Sequence, residues 1–258
     1  MKNRAFTGVQ RLYGDSAFNI IQNSHILVVG IGGVGSWSCE SLVRSGVGEI
    51  TIIDLDDVCV SNINRQIHST IKTIGALKID VMKERLLLIN PDLKIHTIHA
   101  LLTEKNIEKV LQTKFDFIID AIDRALHKSL LISEAQKRKI NIVTIGGAGG
   151  KLDPTLIEIR DLNRTINDKL LLQVRRSLKK DYKYSKFTNK PYRVSAIFST
   201  EIAQVEDVQT HDTEDRKAKN CQTGYIGSSC AVTASMGFFA SAYVLKNLTQ
   251  IDSPNEVS

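Results

Sequence analysis

Cysteine is scarce in this sequence, and its placement argues against two common uses of the residue. The 258 residues include four cysteines, with none between Cys59 and Cys221. No two of them have the spacing of a zinc finger or zinc ribbon, so no structural zinc site is expected. The same scarcity is unlike a disulfide-rich scaffold and is typical of a reducing compartment.

Histidine is also sparse, and no metal-binding pattern is built on it. The six histidines form no ligand-spaced cluster along the sequence. We therefore predict that none of them is a metal ligand. They are His25, His68, His96, His99, His127 and His211.

Long apolar runs are few. Residues 1–6 contain no apolar region of the kind found in secretory signals. The uncharged stretch Ser229–Leu245 is about 17 residues long and includes hydroxyl side chains, whereas a bilayer span needs about 20 predominantly apolar residues. We expect a buried helix there, packed on a sheet or at a dimer interface, with membrane association as the alternative. The overall expectation is a cytoplasmic protein.

What the sequence does contain is a glycine-rich turn between a strand and a helix. The apolar segment 26–29 leads into Gly30, Gly32, Gly33 and Gly35, and a second apolar strand ends at Asp54. This βαβ arrangement binds nucleotides. Its turn approaches a phosphate, its helix N-terminus attracts the anion, and the acidic residue accepts hydrogen bonds from a ribose.

The charged residues that follow favour a triphosphate over a dinucleotide. A glycine turn already binds the pyrophosphate of a dinucleotide, but ATP brings more negative charge to neutralise. Arg65 and Lys78 are residue types that bind phosphate groups. Asp56 and Asp123 are carboxylates of the kind that hold Mg²⁺ together with phosphate oxygens.

Strand and helix patterns alternate up to about residue 145, which predicts an α/β fold with a Rossmann-like, mostly parallel sheet and flanking helices. Beyond Gly146 the alternation breaks, and segment 157–162 is expected to be an edge strand of a sheet that becomes mixed toward the C-terminus. Strands are predicted over 26–29, 49–53, 94–99, 115–120, 141–145, 157–162 and 193–199. Helices are predicted over 15–22, 37–43, 76–89, 106–112, 125–138 and 168–180.

Residues 175–193 form a strongly basic stretch in a chain of net charge +6. Basic groups bind phosphates, and aromatic rings stack on unpaired bases, so this stretch is the best candidate for a nucleic-acid contact. A solvated, lysine-rich helix end is the alternative. The predicted contacts are Arg175, Arg176, Lys179, Lys180 and Lys183. The interleaved aromatic residues are Tyr182, Tyr184, Phe187 and Tyr192.

Together these features resemble the adenylation domain of the ubiquitin-activating (E1-like) superfamily, over about residues 5–248. The segments that carry the resemblance are Gly30–Ser36, Asp54-x-Asp56, Asn62-x-x-Arg65-Gln66, Lys78 and Asp120-x-x-Asp123. Within the superfamily, the sequence is similar to the tRNA threonylcarbamoyladenosine dehydratases. That narrower resemblance rests on residues 11–14, 64–68, 144–154 and 198–201.

The resemblance implies a tRNA substrate that carries threonylcarbamoyladenosine at position 37, with ATP and Mg²⁺ as small-molecule requirements. ATP would adenylate the substrate carboxylate, and ring closure would follow with net loss of water. The residues implied to bind ATP are Gly30, Gly32, Gly33, Gly35, Asp54, Asp56, Asn62 and Gln66. Those implied in catalysis are Arg65, Lys78, Asp123, which is also the implied Mg²⁺ ligand, and Arg11.

The resemblance also implies an organisation and partners. We expect residues 1–258 to form a single adenylation domain, with a nucleotide-binding half over about 1–145 and substrate, tRNA and dimer elements over about 146–248. A homodimer is implied, in which Arg11 reaches the ATP of the partner subunit. A sulfur-transfer protein is a further partner that the resemblance allows. Residues 146–154 and 198–201 are expected near the modified nucleoside.

Three other functions account for part of the sequence. An activator of a small sulfur-carrier or ubiquitin-like protein would share the first half-reaction, but such relatives often carry two CxxC pairs, which this chain lacks. A nicotinamide oxidoreductase would use the glycine turn but leaves Arg65, Lys78 and Asp123 unexplained. A non-catalytic nucleotide-binding scaffold would not need an intact set of phosphate-binding residues.

Overall fold

A mostly parallel sheet is the frame on which the other elements are placed. The computed structural model describes residues 4–187, 189–204 and 226–250. Within them, seven strands form one sheet in the order β3-β2-β1-β4-β5-β7-β6, and only the β6–β7 pair is antiparallel. The strands are β1 His25–Val29, β2 Glu49–Asp54, β3 Lys94–His99, β4 Phe117–Asp120, β5 Asn141–Ile145, β6 Ile157–Asp161 and β7 Ser195–Ser199.

Helices cover both faces of this sheet. In the described residues they are α1 Thr7–Tyr13, α2 Asp15–Asn23, α3 Gly35–Arg44, α4 Lys78–Ile89, α5 Ile107–Val110, α6 Ala125–Lys137, α7 Lys169–Asp181 and α8 Cys230–Thr249. Because side chains alternate along a strand, Ile26 and Val28 of β1 pack toward α3, α4 and α8, while Leu27 and Val29 pack toward α5, α6 and α7. Burial on both faces explains why the central strands are continuous apolar runs rather than alternating ones.

Helix α8 shows why the uncharged C-terminal stretch is buried. Ser229 caps the helix by accepting a hydrogen bond from Ala231 N at 3.2 Å. Met236, Ala240 and Val244 then recur on one face and join the core against α3 and the sheet. The expectation of a buried helix is confirmed. Within the described ranges, no helix combines the length and apolar content that crossing a bilayer requires.

The predicted fold class is confirmed, including the antiparallel edge strand β6. Several element boundaries differ from the predictions, and one helix was not predicted. Strand β7 begins at Ser195 rather than at Arg193, because the carboxylate of Asp161 binds the backbone N–H groups of Tyr192 and Arg193 and Arg193 has a φ of 56°. Helix α1 was not predicted, and since none of its residues is buried it has no apolar periodicity to recognise.

The packing of α8 leads to a stability prediction. Met236 is fully buried, so Met236→Ala should lower the free energy of unfolding by about 2–5 kcal/mol through lost contacts and a cavity. The matched control is Leu88→Ala, since Leu88 on α4 is 86% exposed. Urea denaturation of the three proteins measures the difference, and equal midpoints would contradict this placement of α8.

Candidate active site

The turn after β1 seats the N-terminus of α3 against the sheet. Gly30 has a φ of +90°, and a Cβ atom there would lie 2.7 Å from Ala121 O. A Cβ atom at Gly35 would lie 1.8 Å from Gly30 O. No side chain caps the start of α3. Ser36 N donates to Gly32 O and Ser38 N donates to Val34 O, so the turn attracts an anion mainly through the positive end of the helix dipole.

An open cleft of about 550 Å³ lies beside this turn, where the carboxyl ends of β1, β2, β4 and β5 meet. Ligands of open α/β sheets bind at this edge, where the strand order reverses. The predicted residues that line the cleft are Gly30, Gly32, Gly33, Asp54, Asp56, Asn62, Arg65, Gln66, Lys78 and Asp123. Gly35 packs behind the turn instead, and Arg11 is an exposed residue of α1 that does not line the cleft.

Asp54 at the end of β2 ties the glycine turn to the next loop. Its carboxylate accepts hydrogen bonds from Ile31 N at 2.6 Å and from Asp56 N at 2.8 Å. Burial raises the pKa of this carboxyl, and the nearby charge of Lys78 acts in the opposite direction. A carboxylate has about four acceptor positions, so acceptor capacity is left for the hydroxyls of a ribose.

Lys78 enters the cleft from the start of α4 and already has an anionic partner. Its Nζ lies 2.7 Å from Asp56 Oδ2, and its side chain is nearly buried while that of Asp56 is mostly exposed. The backbone enforces this pairing, since Lys78 N donates to Asp56 O and Gly75 N donates to Val58 O. Asp56 therefore forms an ion pair with Lys78. Asp123 forms no such ion pair among the described residues.

Arg65 lies over the glycine turn on the opposite wall. Its Nη1 donates to Ser61 O at 2.7 Å and to Asn64 Oδ1 at 3.0 Å, and its backbone carbonyl accepts from Trp37 Nε1. Its side-chain methylenes lie 3.3 Å from the position of a Cβ atom at Gly33. Part of the guanidinium fork thus remains available beside the turn, where it can bind a phosphate.

Two amide side chains complete this wall in different ways. Asn62 is buried, and its Oδ1 accepts from Cys59 N at 3.0 Å, which shapes the short helical turn that carries Arg65. Gln66 is buried too, but its Oε1 has no hydrogen-bond partner among the described residues. A buried acceptor without a donor requires explanation, and a bound ligand or water is the usual one.

Beneath the cleft lies a buried ion pair that was not predicted. Lys128 Nζ is 3.0 Å from Asp120 Oδ2 and donates to Thr144 Oγ1 at 3.1 Å, and both charged side chains are fully buried. Burial raises the pKa of Asp120 and lowers that of Lys128, and each charge counteracts the shift of the other. The sequence held one signal, since Lys128 shares the apolar face of α6 with Leu131, Ile132 and Ala135.

The two segments expected near the modified nucleoside lie side by side. The carboxylate of Glu201 accepts from Leu152 N and Asp153 N at 2.9–3.1 Å, and Lys151 Nζ donates to Ser199 O at 2.8 Å. Gly146–Gly149 line the cleft, and Gly147 N donates to Asp168, the residue that caps α7. Residues 146–149 therefore line the cleft, whereas residues 198–201 contact residues 151–153 and are not part of the lining.

The basic stretch is the exposed side of α7 and the loop after it. Leu171, Val174 and Leu178 bury one face of α7, and most of the cations point outward. Arg175 and Lys179 are half-buried, and the guanidinium of Arg175 is bonded to Thr165 Oγ1. The four interleaved aromatic residues differ in their exposure. Tyr192 is buried and packs edge-on against half-buried Tyr184, which leaves Phe187 as the fully exposed ring.

The described cysteines provide little reactive thiol. Cys39 is buried and free, and burial raises the pKa of its thiol. Cys59 is buried and lines the cleft. Cys230 is free at the start of α8. Cys221 lies outside the described residues.

Comparison with known proteins identifies the family. Residues 7–257 match the ThiF family. The chain belongs to the ThiF family. It is 44% identical over 243 residues to the tRNA threonylcarbamoyladenosine dehydratase of Haemophilus influenzae, a match that covers 94% of this chain and 92% of that protein.

Solved structures of this family agree with the described fold. The crystal structure of the Escherichia coli tRNA N6-threonylcarbamoyladenosine dehydratase with ATP matches at a TM-score of 0.86 and 39% identity, over 96% of this chain and 94% of that one. The AMP complex of the same enzyme matches at a TM-score of 0.87 and 39% identity, over 96% and 95%. An ATP-using family supports the interpretation of the cleft as an ATP site over the nicotinamide alternative.

The wall that carries Arg65 also supplies a pH-dependent stability prediction. His68 is buried, and neither ring nitrogen has a hydrogen-bond partner among the described residues. Burial, with Lys78 and Arg85 nearby, lowers its pKa to about 3. Between the unfolded pKa of about 6.5 and that value, the unfolded chain binds a proton that the folded chain does not. The free energy of unfolding should therefore fall as the pH drops below about 6.5, and His68 accounts for at most about 1.4 kcal/mol per pH unit of this fall.

The variant His68→Leu should therefore show a flatter dependence of unfolding free energy on pH between about 6.5 and 4.5 than the wild-type protein. Denaturant titrations at several pH values measure the slopes. His99→Gln is the control, because His99 is exposed on β3 and should leave the slope unchanged. Identical slopes in wild type and His68→Leu would show that His68 is not buried in its neutral form.

Proposed function

We propose that this protein uses ATP to dehydrate threonylcarbamoyladenosine at position 37 of tRNA to its cyclic form. The observation that carries the proposal is the cleft itself. It brings the glycine turn, Asp54, Arg65 and Lys78 together at the switch point of the sheet. The chain also belongs to a family in which relatives matched over more than 90% of their length are named for that reaction.

The chemistry follows from the substrate carboxylate. A carboxylate is a poor electrophile because oxide would have to leave, so one carboxylate oxygen attacks the α-phosphate of ATP and pyrophosphate departs. The acyl-adenylate then has AMP as its leaving group. The carbamoyl oxygen attacks the acyl carbon, AMP leaves with the original carboxylate oxygen, and a ring closes with net loss of water from the nucleoside.

The residues of the cleft have different roles in this reaction. The glycine turn and the N-terminus of α3 bind phosphate, and Asp54 accepts hydrogen bonds from the ribose hydroxyls. Arg65 and Lys78 neutralise the charge that develops on the departing pyrophosphate. Asn62 orients the turn that carries Arg65, and the free acceptor of Gln66 binds a donor group of the nucleotide. Ring closure within the substrate requires no enzyme thiol.

The residues present also fit Mg²⁺. This ion prefers one or two protein carboxylates together with phosphate oxygens. Asp123 is an exposed carboxylate that lines the cleft, whereas Asp56 is bound by Lys78. Asp123 would hold the ion, which when bound adds positive charge beside the phosphate oxygens.

We place the tRNA contact on α7. Leu170, in the first turn of α7, lines the cleft, and the cations Arg176, Lys179 and Lys180 lie further along the same helix. At about 1.5 Å per residue, Lys180 is roughly 15 Å from the cleft end of the helix. A nucleotide inserted in the cleft would therefore leave its neighbouring phosphates within reach of this face.

A homodimer is part of the same proposal. Arg11 is exposed and outside the cleft of its own chain, so it would meet ATP only across a subunit interface. A cytoplasmic location follows from a tRNA substrate. A sulfur-transfer partner stays a prediction of the sequence resemblance alone.

The sharpest test of the adenylation step is Arg65→Ala. Loss of a preorganised charge-stabilising donor lowers kcat by about 10²–10³, while folding should persist. The measurement is nucleoside mass spectrometry after incubation with ATP, Mg²⁺ and tRNA carrying the open threonylcarbamoyl group. Arg138→Ala is the control, since Arg138 lies outside the cleft in an ion pair with Glu134. A variant Arg65→Ala that turns over at nearly the wild-type rate would exclude this role.

The same preparation separates the two candidate substrates. ATP–pyrophosphate exchange should depend on the modified tRNA. Exchange that depends instead on a small protein ending in Gly-Gly would support the sulfur-carrier activator and exclude the tRNA reaction.

A second variant tests the tRNA surface. Replacing Lys179, Lys180 and Lys183 by Ala should weaken tRNA binding and reduce the slope of log K against log salt, because fewer counterions are released. ATP binding should not change. The charge-matched control replaces the exposed lysines Lys105, Lys109 and Lys114 on the β3–β4 connection. If both triple variants show the same salt slope as wild type, the tRNA surface lies elsewhere.

A further inference from the structure

A second cluster of chemically reactive side chains lies at the opposite edge of the sheet. His25 begins β1, Glu49 begins β2 and His96 is the third residue of β3. The parallel register pairs His25 with Glu49 and Thr51 with His96. Since side chains two residues apart on a strand share a face, all four residues face the same side of the sheet.

The ligand-type atoms of three of these residues converge. His96 Nε2 is 2.9 Å from Glu49 Oε1, and His25 Nδ1 is 3.6 Å from the same oxygen. All three donor atoms lie within 4.8 Å of one another. In a tetrahedral zinc site with ligands about 2.0–2.1 Å from the metal, neighbouring ligand atoms are about 3.4 Å apart. The two separations that involve Glu49, 2.9 and 3.6 Å, lie on either side of that value.

A hydrogen bond behind His25 orients the ring as metal sites require. His25 Nε2 is 2.8 Å from the hydroxyl of buried Thr51. When Nε2 carries the proton and donates it, the lone pair of Nδ1 faces the carboxylate of Glu49. Two electron-rich atoms then face each other, and a cation between them satisfies both. Ligating histidines have such a partner on the second ring nitrogen almost without exception.

Two further contacts hold His25 in place. The His25 ring is fixed from its other side by edge-on contact with Phe115, and its backbone N–H donates to Asp116 Oδ2.

We propose that His25, Glu49 and His96 bind a divalent transition metal ion of the Zn²⁺ type. Two imidazoles and one carboxylate suit zinc, nickel or cobalt rather than Mg²⁺. More than half of the His96 side chain is exposed, whereas that of His25 is nearly buried. The cluster is therefore open on one side, which provides an access path and space for water as a fourth ligand. The ion would link the first three strands in chain order at the edge remote from the nucleotide.

The test uses the full chain with any affinity tag removed, stripped of metal with a chelator and titrated with Zn²⁺ by calorimetry. Wild type and the control His99→Gln, which removes another histidine of β3, should each bind one ion per chain at this site. His96→Gln should lose at least about tenfold in affinity. Thr51→Val, which keeps all three ligands but removes the hydroxyl behind His25, should weaken binding about 10–100-fold.

X-ray absorption of the zinc-loaded protein identifies the ligands directly. The expected first shell contains two imidazole nitrogens and oxygen at about 2.0–2.2 Å. Circular dichroism confirms that each variant is folded, and His96 is exposed enough for its replacement to leave the fold intact. Equal affinities in wild type and His96→Gln, no binding by wild type, or sulfur in the first shell would each overturn the proposal. None of these readouts depends on the activity proposed for the cleft.

Discussion

The edge of the sheet that carries the cleft depends on one buried ion pair. Asp120 closes β4, Thr144 lies beside it on β5, and Lys128 reaches both from α6. Removing charges from water is expensive, and removing one partner of such a pair typically destabilises a protein by about 3–5 kcal/mol. The pair therefore fixes the relative positions of two strand ends and a helix. The loop of Asp123 follows directly from this rigid base.

The sheet separates two kinds of chemistry by their position along the strands. At the carboxyl ends, backbone N–H groups and cations prepare a site for a polyanion. At the amino ends of β1 and β2, imidazoles and a carboxylate prepare a site for a cation. The strands between them are apolar and buried on both faces, so each site is assembled on a frame that is rigid for reasons unrelated to its ligand.

Local sequence was enough to predict much of this molecule. The glycine turn and Asp54 belong to one βαβ unit, Arg65 and Lys78 follow it closely in sequence, and the structure brings all of them together. Helices and strands could be distinguished because their apolar periodicity is also a local property of the sequence. The sequence did not show which strands lie next to each other in the sheet.

The features that were missed are those that require strand order. Glu49 and His96 are 47 residues apart and meet only because β2 and β3 pair in parallel. Lys128 looks like an interruption of an apolar face until Asp120 and Thr144 are placed opposite it. The aromatic residues Tyr184 and Tyr192 look available in the sequence, but their contact with each other and with the core depends on how the loop after α7 folds back.

The contact between Lys78 and Asp56 has a consequence for which molecules can occupy the cleft. The lysine is not a vacant positive charge, because a tethered carboxylate already occupies it at 2.7 Å. An ammonium group has three N–H donors, so an incoming anion can share Lys78 with Asp56. A ligand with a single negative charge would meet a partly neutralised cation there, whereas a polyphosphate would also contact Arg65 and the N-terminus of α3. We therefore expect the cleft to favour multiply charged ligands.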